Sequence, residues 1–262
     1  MSERTTYHQR ARRIGAELMN TATNRDLTED ICMKKLGLIG GMGVESTIPY
    51  YHNIVYGVQK KLDKNIFPCL TIESVDMFQV LDFCREENYD GLTDYLMQAV
   101  NNLIKSEADF IALSANTPHI VFEQLQAKSA VPLVSIIETT CNEIVRLNMK
   151  KVGLLGTIFT MTGEFYRLPF KRNGIEIITP NETEMEYINQ KISSELEMGI
   201  VKEDTLKEFQ RIIMQLKEEN DIEAVILGCT ELPLLLSDKD SPIPCLDTMK
   251  LHINALINMI VE

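Results

Sequence analysis

Ala224-Val225-Ile226-Leu227-Gly228-Cys229-Thr230-Glu231 is the stretch whose reading decides the fold. Four consecutive apolar residues closed by a glycine read as a strand buried on both faces, the kind that occurs in parallel sheets covered by helices. A helix can begin only after the turn, beyond Pro233. Cys229 therefore arrives at the end of a strand, where open α/β sheets place their chemistry. Helix-terminal N–H groups favour an ionised thiol, so Cys229 is read as a candidate thiolate near neutral pH.

An earlier copy of this stretch is present. Ile111-Ala112-Leu113-Ser114-Ala115-Asn116 matches Val225 to Thr230, Lys34-Lys35-Leu36-Gly37-Leu38-Ile39-Gly40 matches Lys150 to Gly156, and Val131-Pro132-Leu133-Val134 matches Ile243-Pro244-Cys245-Leu246. Three markers in the same order at nearly constant spacing indicate an internal duplication. The first copy reads as strands over 36–39, 67–73, 110–113 and 131–136, with helices over 46–62, 93–105 and from 119 to 128. Pro49 falls in the first turn of the first helix. Strands separated by helices of this length imply βαβ units. The expected fold is α/β, with two pseudo-symmetric domains, each a mainly parallel sheet flanked by helices, and a cleft between them where Ala115 and Cys229 meet. The expected division is a leader over 1–33, a first domain over 34–135 plus 243–262, and a second over 136–242.

Composition narrows the function. The chain has 262 residues, 45% of them hydrophobic, and a net charge of −12. That excess of negative charge argues against nucleic acid or an anionic membrane surface as partner. No apolar run reaches the length of a membrane span, so a cytoplasmic protein is expected. Cys32, Cys69, Cys84, Cys141, Cys229 and Cys245 show no CxxC pairing, hence no disulfide framework or zinc site. All but Cys229 are read as small buried hydrophobes. The leader's charges balance, and it reads equally as a frayed helix, a dimer arm or an over-extended start of translation. Gly41-Met42-Gly43 begins a GxGxxG pattern, but Ser46 ends the match and the next acidic strand end comes late, which disfavours a dinucleotide site.

The ordered set LGLIGGMGVESTIPYY (36–51), SVD (74–76), ANTPH (115–119), GLLGTIFTM (153–161), FYR (165–167) and GCTE (228–231) resembles the aspartate/glutamate racemase superfamily, within it the aspartate racemase and broad-specificity amino-acid racemase branch. The resemblance covers Lys34 to the C-terminus. It implies a substrate amino acid held between two α/β domains, an acid/base residue on each face of its α-carbon, no pyridoxal phosphate, no metal and no other cofactor, and a homodimer. Removing an α-proton leaves an enolate-like dianion, which hydroxyls and N–H groups at strand-to-helix turns can stabilise. Met42, Asn116, Thr117, Thr157, Thr160, Thr230 and Glu231 are the implied substrate-binding residues. The alternative for the Thr and Asn side chains is that they cap helices; binding is the favoured reading for Asn116 and Thr230, and the two are even for Thr160. Glu231 reads equally as an acceptor for the substrate ammonium or a cap of its own helix.

Cys229 matches the family's second catalytic cysteine, while the position of the first falls on Ala115, whose methyl group cannot carry a proton. Ser114 is expected to point the other way along its strand and at most to order a water. His119, one turn beyond Ala115, is either an auxiliary acid/base or a buried ring with satisfied nitrogens. Three functions stay open: an amino-acid racemase, a single-cysteine decarboxylase or isomerase of the same superfamily, and a catalytically silent binder of an amino acid or dicarboxylate. A second substrate carboxylate would need a cation, and neither 73–77 nor 194–198 offers one.

Overall fold

Two parallel four-stranded sheets carry the chain, as shown by a computed structural model that describes residues 33–262; these form one compact unit. The leader and Cys32 lie outside the described residues. The first sheet has the order β2-β1-β3-β4, from β1 (Leu36–Gly40), β2 (Leu70–Ser74), β3 (Phe110–Leu113) and β4 (Leu133–Val134). The second repeats it as β6-β5-β7-β8, from β5 (Lys151–Leu155), β6 (Glu176–Ile178), β7 (Ala224–Leu227) and β8 (Cys245–Asp247). Register repeats as well: Leu36 lies opposite Phe110, and Val152 opposite Ala224.

Strand alternation sorts side chains onto the two faces of the first sheet. Leu36, Leu38, Phe110 and Ala112 pack with Tyr50, Ile54 and Val58 of α1 (Val44–Leu62). Ile39, Ile111 and Leu113 face the other way, onto Val80 of α2 (Met77–Arg85), Leu92, Leu96 and Val100 of α3 (Tyr89–Lys105), and Leu125 of α4 (Phe122–Lys128). The second sheet is covered by α6 (Ile158–Thr162), α7 (Glu164–Arg172), α8 (Glu182–Ser194) and α9 (Glu203–Asn220) and has one continuous core.

Several boundaries move from their expected places. The second strand starts at Leu70 rather than Phe67, since Pro68 has no N–H for a ladder. The first helix starts at Val44, two residues early, which brings Ser46 into its first turn and moves Pro49 out of it. Helix α2 was not expected, although Met77, Val80, Leu81 and Cys84 carry helical spacing and the Asp76 carboxylate caps it by accepting from Phe78 N–H. Only Leu133 and Val134 of the fourth predicted strand pair, because the Ser135 hydroxyl already caps α5 (Ile136–Arg146).

The boundary expected at 243 needs correction. Strand β8 follows it and pairs with β7, so it belongs to the second sheet. The chain changes halves at Thr248, where α10 (Thr248–Val261) begins and packs on α1 and α5. In the same way α5, after β4, gives Ile136, Ile137, Cys141 and Ile144 to the second core. Each half thus receives a helix that follows the other half's last strand.

Helix α10 is tied to the first sheet through His252, whose Nδ1 pairs with Tyr50 OH at 2.7 Å and whose Nε2 meets Val134 O at 3.1 Å. Burial is the main cause that pushes His252 down to about 3 and His119 down to about 4. Unfolded imidazoles take protons near pH 6.5, so the folded state is fully favoured above that pH. Stability is lost as pH falls from there toward the folded values, by up to about 1.4 kcal/mol per pH unit for each ring. Urea midpoints are therefore expected to drop between pH 7 and 5. A flat profile across that range would contradict the assignment.

Of the cysteines expected to be buried, Cys84 and Cys141 are; Cys69 is exposed and Cys245 half-buried, both near strand beginnings where the sheets meet solvent. No helix among the described residues is long and apolar enough to cross a membrane.

Candidate active site

The strand ends of the two halves converge on a cleft lined from both sides. From the first half it is lined by Met42 after β1, by Ala115, Asn116, Thr117 and Pro118 after β3, and by Met77, Val80 and Leu81 of α2. The second half adds Thr157 after β5, Gly228 to Glu231 after β7, and Glu197 on the 3-10 turn Leu196–Met198. Cys229 and Ala115 each stand two residues past their strand and share this cleft.

Glycines let the β1 turn approach its neighbours. Gly41 has φ +82°, and a Cβ there would meet Val75 O at 2.3 Å. A Cβ on Gly43 would come within 3.0 Å of Glu231 Oε1.

Glu231 is the hub. Its Oε2 accepts from Cys229 Sγ–H at 2.9 Å and from the Thr230 hydroxyl at 3.1 Å. Ser46, from the other half, donates to Oε1 and pairs with Thr230 Oγ1 at 2.6 Å. These partners occupy Glu231 in place of the alternative that it caps its own helix. Asn116 Nδ2 donates to Thr248 Oγ1 at 3.2 Å, and Thr248 donates to Leu227 O at 2.8 Å, which links the two strand ends. Asn116 Oδ1 is buried without a partner among the described residues. Thr117 and Thr157 hydroxyls meet across the cleft at 3.0 Å, and Thr157 also caps α6 (Ile158–Thr162) by accepting from Thr160 N–H.

The electrostatics overturn one expectation. Burial pushes the Cys229 thiol well above its ordinary range, and the charge of Glu231, the hydrogen bond to it and the charge of Glu197 push the same way. Cys229 rests as a thiol and not as a thiolate, because burial first, and then the two carboxylates, outweigh the backbone N–H groups at the strand end. Glu197 is itself raised, by burial first and then by Glu231.

The sequence comparison decides the family. The model of Asp/Glu/hydantoin racemases matches residues 39–256. The chain belongs to that family. It is 29% identical over 219 residues to the broad-specificity amino-acid racemase RacX of Bacillus subtilis, covering 81% of this chain and 92% of that protein. Among solved structures, a putative Asp/Glu racemase from Yersinia pestis is 34% identical with a TM-score of 0.81, covering 88% of this chain and all of that one. An aspartate racemase homologue from Pyrococcus horikoshii is 37% identical with a TM-score of 0.76 over the same shares.

Within this racemase family, three residues singled out from sequence do not line the cleft. Thr160 is fully buried beneath it, where its methyl packs near Gly156 and Gly228 and its hydroxyl meets Thr157. Ser114 is on the opposite face of β3, as strand alternation requires, and its buried hydroxyl has no partner. His119 stacks on Phe122, pairs Nδ1 with Ala115 O at 2.9 Å and accepts from Ile136 N–H at Nε2. Both its nitrogens are used and burial keeps it neutral, so it supports the turn and is not an auxiliary acid/base. Arg167 is likewise spent on the carbonyls of Ile177 and Met161.

Four contributors escaped the sequence reading: Ser46, Thr248, Glu197 and the apolar wall of α2. Only α2 had a sequence signal, its helical spacing.

The Glu231 charge is separable from burial as a cause of the raised thiol. Glu231→Gln keeps a partner for Ser46 but removes the charge, so alkylation of Cys229 by iodoacetamide at pH 8 is expected to speed several-fold. Peptide mass spectrometry separates this site from exposed Cys69. An unchanged rate would leave burial as the whole cause.

Proposed function

We propose that the protein transfers the α-proton of a free amino acid by side-chain chemistry alone, with Cys229 as the acid/base group. The observation that carries this reading is the 2.9 Å contact between Cys229 Sγ and Glu231 Oε2 inside a cleft lined from both halves. Glu231 takes the thiol proton as the substrate enters, and the thiolate then removes the α-hydrogen. The electron pair moves onto the substrate carboxylate, whose growing charge meets the hydroxyls of Thr117, Thr157 and Thr230. The reverse sequence restores the proton on the same face.

Ala115 makes this chemistry one-sided. With no proton carrier at position 115, exchange of one enantiomer's α-hydrogen outruns racemisation, which needs a water on that face. The same alanine favours a second reading, a decarboxylase: loss of carbon dioxide leaves the electron pair on carbon without a base, and the Cys229 thiol delivers the proton to it.

The test is to incubate each enantiomer of an amino-acid panel in heavy water. Deuterium entering the α-position of one enantiomer much faster than the other is expected. Equal exchange of both would reveal a second base and overturn the one-sided reading. Carbon dioxide release from substituted malonates without exchange would favour the decarboxylase. Binding with neither reaction would leave an amino-acid binder.

A further inference from the structure

We infer that the cleft is built for an amino acid whose side chain is not acidic, and that Glu197 is the specificity-determining residue that turns away a second carboxylate; the inference rests on the α-proton-transfer reading above. Glu197 and Glu231 both line the cleft, and among the described residues no lysine, arginine or histidine does. The nearby cations are already committed. Lys191 and Lys202 hold buried Glu195 at 2.7 and 3.0 Å, and Thr205 donates to it at 2.7 Å.

That anchored residue fixes the start of the 3-10 turn on which Glu197 sits. Glu197 therefore faces the cleft from a held position and forms no ion pair among the described residues. A second observation points to the same ligand chemistry. Asn116, 3% exposed, lines the cleft with its carbonyl oxygen unpartnered while its amide nitrogen is used by Thr248. An orphaned buried acceptor calls for a donor from the ligand, and the ammonium of an amino acid is one.

The hydroxyls and N–H groups at the strand ends answer the substrate's single α-carboxylate. What is left for the side chain is the wall of Met42, Met77, Val80 and Leu81, together with the Glu197 carboxylate. A neutral side chain packs on that wall. A cationic one adds attraction to Glu197, whereas an acidic one meets like charge in a partly buried site where screening is weak.

The test compares kcat/KM for α-deuterium exchange across leucine, methionine, lysine, aspartate and glutamate, in wild type and in Glu197→Gln. The best non-acidic substrate is expected to exceed aspartate and glutamate by at least tenfold in wild type. In Glu197→Gln that ratio is expected to shrink by at least tenfold, mostly through a lower KM for the acids, as an effect on binding requires. A wild type that prefers aspartate or glutamate overturns the inference while leaving proton transfer intact, and so does a folded Glu197→Gln with an unmoved ratio. If the variant does not fold, the wild-type panel decides alone. If no amino acid exchanges, equilibrium dialysis of the same panel decides instead. Tighter binding of the non-acidic members then upholds the charge selection and removes only the proton-transfer reading, and any other binding result overturns both.

Discussion

Cys229→Ala is expected to lower α-hydrogen exchange by about 10²- to 10⁴-fold, the range that one positioned acid/base group supplies. Among the described residues the thiol is the one group in the cleft within hydrogen-bond distance of Glu231 that can also carry a proton to carbon. Glu231 itself is held from behind by Ser46 and Thr230. The substitution removes one buried sulfur atom at the edge of the second core, which costs some stability, so a urea melt showing that the variant is folded at the assay temperature makes the loss of exchange a report on chemistry. Cys229→Ser keeps a hydrogen bond to Glu231 but replaces the thiol with a hydroxyl of much higher pKa. It is expected to be almost as inactive. The check is proton NMR in heavy water on both variants, and exchange at the wild-type rate in either would remove Cys229 from the mechanism.

The reciprocal substitution should create activity. Ala115→Cys places a thiol two residues beyond β3, the register that Cys229 occupies beyond β7, within the same cleft. Racemisation is expected to rise by about two orders of magnitude, the low end of what a second acid/base group provides. In heavy water both enantiomers should then exchange at comparable rates. Polarimetry or chiral chromatography reads the first effect and NMR the second. Ala115 is 7% exposed, so the added sulfur extends into the cleft rather than a packed core. A folded Ala115→Cys protein with unaltered racemisation would mean that position 115 does not face the α-carbon opposite Cys229.

Much of the fold was legible because strand pattern and duplication are local properties of the chain. The echoes of Lys34–Gly40 in Lys150–Gly156 and of Ile111–Asn116 in Val225–Thr230 fall on β1 and β5 and on β3 and β7. Buried parallel strands need continuous apolar runs, and such runs show directly in sequence. Helix α2 was missed although its spacing was present, because its 9 residues give only a short periodic run. The changeover at Thr248 was placed too early for a different reason. Cys245–Asp247 is too short to declare its partner, and only the ladder to Val225–Leu227 shows it.

The site divides in the same way. Sequence pointed to Cys229, Ala115, Asn116, Thr117, Thr157, Thr230, Glu231 and Met42, each beside a strand end, and all of them line the cleft. It also pointed to Thr160, Ser114 and His119, which sit within a few residues of it yet face elsewhere. Proximity along a chain does not give direction.

By itself the sequence determined the α/β class, the repeated strand order and the two positions, 115 and 229, that the repeat makes equivalent. Only the tertiary structure decided the state of the thiol. The backbone at a strand end favours a thiolate, whereas burial above all, with Glu231, braced by Ser46 from the other half, and Glu197, on a turn pinned through Glu195, holds Cys229 protonated. Burial and the charge of Glu197 come from residues distant in the chain, and Glu231, although only two residues away, is held in place by Ser46 of the other half, so the local pattern around Cys229 could not reveal the state of the thiol.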